Sequence, residues 1–92
     1  MKENGKYKEV LLLLQTNKAQ EAKDMFESFD FEESLEYFLT KGKLEQKFQR
    51  WSNAANTYSK VLEMDPGNEE AKNNLIIIRG ILNFYNPEMF NP

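Results

Sequence analysis

The sequence has no cysteine and no histidine in 92 residues. Disulfides, thiol nucleophiles and zinc sites of the usual kind are thereby excluded. The side chain that most often moves protons in catalysis is also missing. Glycine and proline are scarce, four and three respectively, so few breaks are available for a loop-rich fold. Long apolar runs are absent. VLLLL (residues 10–14) and LIII (residues 75–78) are far below the roughly 20 residues that cross a bilayer. No basic block occurs either. Twelve Lys and Arg stand against fifteen Asp and Glu, the signs alternate, and the formal charge is −3, so nucleic acid is not an expected partner. The polar start MKENGKYKEV lacks a small-residue cleavage site, so no secretory signal is expected. The absence of cysteine is compatible with a reducing compartment. These exclusions leave one soluble, cytoplasmic domain, with no membrane partner.

What remains is helical. Apolar residues recur at spacings of three and four and not in strict alternation, and the punctuation falls between such segments. A first helix is predicted over about residues 6–15. Asn17 with Gln20 three residues on forms a capping-box pattern, opening a second helix that runs to about Ser28. Asp30 with Glu33 repeats the signal, so a third helix is predicted over about residues 31–47. A fourth begins near Arg50 or Trp51 and stops before the turn cluster Asp65-Pro66-Gly67. Asn68 can cap a fifth, with Glu69 and Glu70 at the positive end of its dipole. That helix ends near Tyr85, because the residue before Pro87 avoids the α region. The expected fold class is all-α: five helices in antiparallel hairpins.

The third and fourth helices read FLTKGKLEQKFQRWSNAANTYSKVLEMDP. Phe38, Gly42, Ala54, Tyr58, Val61 and Pro66 fall at successive spacings of 4, 12, 4, 3 and 5. In this order and at these intervals they resemble the large aromatic, glycine, small, aromatic, small apolar and closing proline positions of a tetratricopeptide repeat. Gly42 and Ala54 would let two helices approach closely, with Phe38 and Tyr58 filling the space beside the contact. The sequence departs from the pattern at Lys41 and Glu45, where the family prefers a large aliphatic and an aromatic residue, and at Gln49, which replaces a common turn glycine. The whole chain resembles small bacterial tetratricopeptide-repeat proteins that end in a similar ILNFYN segment. The resemblance implies a single domain: a degenerate repeat at 1–29, a clear repeat at 31–66, a capping helix at 68–85 and a tail at 86–92, forming a fragment of a right-handed α–α superhelix. The first repeat has two competing registers. Ala22, Phe26 and Phe29 precede Ala54, Tyr58 and Val61 by 32, whereas Ala19 precedes Ala54 by 35.

Placing residues at 100° intervals divides the third helix into three sides. Leu35, Phe38, Leu39 and Gly42 share one, with Tyr37, Leu44 and Phe48 nearly opposite. Between them runs a mostly polar stripe. The resemblance implies that this stripe, bordered by Leu39, lines a concave peptide groove made by Glu36, Leu39, Thr40, Lys43, Gln46 and Lys47; the alternative is an ordinary solvated face. The fifth helix has one broad apolar face (Ala71, Leu75, Ile78, Ile81, Leu82 and Tyr85), expected to pack on the fourth. Its second apolar face holds Ile76, Ile77, Gly80 and Phe84. Leaving large apolar side chains open to water forgoes roughly 1.5–3 kcal/mol each, so that face should be covered. Three coverings remain open: the tail folding back through Met89 and Phe90, a second copy of the chain, or another protein. In the first helix, four consecutive leucines point in all directions, so one is expected to be exposed.

No catalytic constellation emerges. KGKLEQK lacks the glycine-rich loop that cradles phosphate. DFEES and DPGNEE lack the alternating oxygen ligands of a calcium loop. The expectation is a non-enzymatic protein-interaction module with no cofactor and no metal, whose partner is an unidentified protein or peptide. A monomer is expected ahead of a homodimer, and the rival function is self-association through the fifth helix.

Overall fold

The computed structural model describes residues 3–85. Among them are five helices and no strand: α1 (Glu3–Gln15), α2 (Ala19–Glu27), α3 (Leu35–Lys47), α4 (Trp51–Met64) and α5 (Glu69–Tyr85). α1 and α2 form one antiparallel hairpin and α3 and α4 a second, with α5 packed on α4. The array is elongated, 47 × 28 × 20 Å.

Two apolar clusters hold it together. The first joins Tyr7, Val10 and Leu14 of α1 to Ala22 and Phe26 of α2 and Leu44 of α3. The second joins Phe38, Ala54, Tyr58 and Val61 to Ala71, Leu75 and Ile78 of α5. Tyr37 packs against both, so α3 is sandwiched, as its two apolar sides require. Phe38, Gly42, Ala54, Tyr58 and Val61 are buried, while Pro66 is exposed in the turn after α4. Gly42 is where close approach is needed: a Cβ there would lie 2.7 Å from Cζ of Tyr58. Within VLLLL, Leu12 is the exposed leucine, at 59%.

The helix starts correct two expectations. Asn17 does not cap α2. It sits at φ 63°, and its N–H and that of Lys18 bond back to the carbonyls of Leu14 and Leu13 at 3.3 and 2.8 Å. These are the two bonds of a Schellman ending for α1, and Gln20 instead donates to Asp24 at 3.0 Å. Gln49 repeats the device after α3, with φ 61° and bonds from Gln49 and Arg50 to Gln46 and Glu45 at 2.9 and 2.8 Å. Nor does α3 begin at residue 31. Ser34 is its cap, accepting from the Tyr37 N–H at 3.1 Å. The preceding segment is held by tertiary contacts instead: the Tyr7 hydroxyl donates to Glu32, and Phe31 lies edge-on to Tyr37 and Phe38. Asn68 caps α5 as expected, its Oδ1 accepting from the Ala71 N–H at 2.9 Å.

The two Schellman turns lie 32 residues apart. Ala22 and Ala54, both fully buried, share that offset, as do buried Phe26 and Tyr58. The two hairpins therefore share these features at an offset of 32. Lys41 and Glu45, the apolar positions of the pattern, form a polar unit: Lys41 meets Glu45 at 2.7 Å, and the buried Thr57 donates to Glu45 at 2.6 Å. This satisfies groups that burial would otherwise penalise.

Candidate functional site

A groove of about 430 Å³ crosses α1, α3 and α5. α1 contributes Leu11, Leu14 and Gln15; α3 contributes Lys43, Gln46 and Lys47. Ile77 and Ile81 of α5 and Trp51 at the start of α4 close the far side. A second depression of about 620 Å³ continues from it, sharing Trp51, Ile77 and Ile81 and adding Gln49, Gly80 and Phe84. The peptide stripe on α3 and the open face of α5, separate in the sequence reading, thus run together through these three apolar side chains.

The lining follows a regular rule. Leu11, Lys43 and Ile77 stand at offsets of 32 and 34, as do Gln15, Lys47 and Ile81. Two positions four residues apart on each of α1, α3 and α5 therefore face the same groove.

Not all six residues expected in the stripe are accessible. Thr40 is buried, only 2% exposed, and so lines no surface. Leu39 is half-buried against the α3–α4–α5 core, and Glu36 is exposed. Gln46 is committed to the fold, accepting from the buried Tyr58 hydroxyl at 2.7 Å and donating to Asn74 at 3.2 Å. Burial, reinforced by the charges of Glu70 and Glu45, holds the Tyr58 phenol above its ordinary 10, so it stays a donor. Lys43 pairs with Glu70 at 2.5 Å. Lys47 differs: it is exposed and makes no ion pair with any described residue.

On α5, Ile77, Gly80 and Phe84 line the continuous surface, whereas Ile76, 68% exposed, stands outside both depressions. Ala71, Leu75 and Ile78 are buried against α4, as expected. Met89 and Phe90, named for the tail, lie outside the described residues. Sequence reasoning missed Leu11, Leu14, Gln15 and Trp51 as lining residues, and it assigned Ile81 to packing alone. The available signal was residue spacing: Leu11 and Gln15 stand 32 residues before Lys43 and Lys47, and Ile77 and Ile81 stand 34 after them.

A third hollow, about 460 Å³, lies between α2, α3 and α4. Four of its charged groups are already paired, Lys23 with Glu27 at 2.9 Å and Lys41 with Glu45 at 2.7 Å, so it offers a ligand less. Among the described residues no acidic cluster could hold a metal ion. No helix among them is long and apolar enough to cross a membrane. Compared with protein-family models, curated proteins and solved structures, the chain matches none.

Proposed function

We propose that this chain is a non-enzymatic, cytoplasmic protein-interaction module of tetratricopeptide type, a short piece of right-handed α–α superhelix. Its groove across α1, α3 and α5 would hold an extended segment of another protein. The observation that carries this reading is the convergence of side chains from three helices, at offsets of 32 and 34, on one groove with apolar residues at each end and lysines between. Such a surface offers shape and burial to a side-chain ladder, and contains no group arranged to make or break bonds.

The test is selection from a displayed library of random peptides against the full chain, followed by counter-selection with Ile77→Asp. Ile77 is 55% exposed, so the substitution puts a charge in the groove without emptying the core. Peptides that bind the parent and are lost with Ile77→Asp support the reading; selection that yields no such peptide overturns it. Self-association through α5 is the second reading, favoured by exposed Ile76 and by Gly80, where an added Cβ would meet no atom within 4 Å. Light scattering over a concentration series decides it: a constant monomer mass removes the homodimer.

A further inference from the structure

Resting on that reading, we infer that the segment held by the groove carries an acidic side chain between two apolar ones, in extended conformation. Both charged residues lining the groove are lysines. Glu70 neutralises Lys43 at 2.5 Å. Lys47 is left as the exposed cation, without an ion pair among the described residues. In a chain of net charge −3, the groove is thus a local basic spot whose unmatched charge sits at its middle. On one side of Lys47 lie Leu11 and Leu14; on the other lie Trp51, Ile77 and Ile81.

Spacing sets the pattern. α1 packs on α3, and α5 is tied to α3 by the Lys43–Glu70 and Gln46–Asn74 contacts. Helices in contact lie about 8–10 Å apart, so the apolar residues of α1 stand about that far from the lysine row and those of α5 at least as far. An extended strand with three residues per turn advances about 3.1 Å per residue and returns side chains to one face every third position, about 9 Å on. The matching ligand is apolar–x–x–acidic–x–x–apolar. Backbone carbonyls of such a segment would meet two unused donors. Gln15 is exposed and makes no side-chain hydrogen bond among the described residues. The Trp51 indole N–H has no described partner and is not sealed from solvent.

The test uses the full chain and three dodecamer peptides with leucine at both apolar positions and glutamate, glutamine or lysine at the central one. Trp51 is the single tryptophan and lines the groove, so its emission reports occupancy without a label. The glutamate peptide is expected to bind about 3- to 10-fold tighter than the glutamine peptide, as for a partly exposed charge-assisted bond, and the advantage should shrink with added salt. Lys47→Glu should reverse the order, so that the lysine peptide binds best. Helical content, read by circular dichroism, checks that this exposed substitution leaves the fold intact, and Lys47→Gln should abolish the preference without reversing it. Equal binding of all three peptides, lost with Ile77→Asp, overturns the acidic pattern and leaves the groove reading standing. No binding of any peptide overturns both. Binding that weakens as protein concentration rises assigns the groove to a second copy, and binding that tightens with Phe90→Ser assigns it to the chain's own residues 86–92; either result overturns the inference.

Discussion

Replacing glycine by alanine at two helical positions should move stability in opposite directions. At Gly42 in α3, the added Cβ would lie 2.7 Å from Cζ of Tyr58 and 3.0 Å from each Cε. The ring has no room to withdraw, being fully buried with its hydroxyl held by Gln46 at 2.7 Å. Overpacking of this kind costs about 1–3 kcal/mol, against a gain of about 1 kcal/mol in helix propensity. The net expectation for Gly42→Ala is a loss of about 1 kcal/mol. At Gly80 in α5, a Cβ would have no neighbour within 4 Å. Only the propensity gain remains, so Gly80→Ala should stabilise by about 0.5–1 kcal/mol. The two variants should differ by about 2 kcal/mol, or roughly 8–16 °C in Tm for a domain of this size. Urea and thermal unfolding followed by circular dichroism measure both. If both substitutions stabilise, the Gly42–Tyr58 contact does not limit packing and the account of the α3–α4 hairpin is wrong.

The turn and the buried phenols give two more expectations. Gln49 holds φ 61°, a conformation that costs a residue with Cβ about 1–2 kcal/mol, so Gln49→Gly should stabilise by about 0.5–1 kcal/mol in urea titration. Asn17→Gly should gain less, because asparagine tolerates that region better. Tyr7 and Tyr58 are both held above the ordinary 10, chiefly by burial, with Glu32 adding to the effect at Tyr7. The unfolded chain ionises first, so the stability from neutral phenols is intact below pH 10 and falls as pH rises above it toward the folded values. Each tyrosine then contributes a slope of about 1.4 kcal/mol per pH unit. Urea midpoints between pH 8 and 11 should drop accordingly, and less steeply in Tyr58→Phe. Equal slopes in the two proteins would refute the assignment to Tyr58.

Much of the fold was legible because helices are written locally. The apolar spacing along residues 69–85, the Asn68 cap and the Asp65-Pro66-Gly67 stop all act within a few residues, and α5 appears where they put it. The misjudged starts were those where local chemistry competes. Asp30 and Glu33 make as good an opening as Ser34, and the choice falls to Ser34 in a fold where Glu32 is held by Tyr7, 25 residues away. Asn17 is equally suited to capping a helix and to ending one in the left-handed region. The bonds back to Leu13 and Leu14 select the second.

The candidate site divides in the same way. The sequence by itself determined the inventory: no thiol or imidazole chemistry, lysines at Lys43 and Lys47, and a second apolar face on α5. Helical periodicity could sort these by direction because side-chain angle depends only on position along one helix. Only the tertiary structure decided which of them share a surface. It buried Thr40, tied Gln46 to Tyr58 and Asn74, neutralised Lys43 with Glu70, and joined Trp51, Ile77 and Ile81 to the lysine row. Those outcomes depend on distances between helices, which no local pattern encodes.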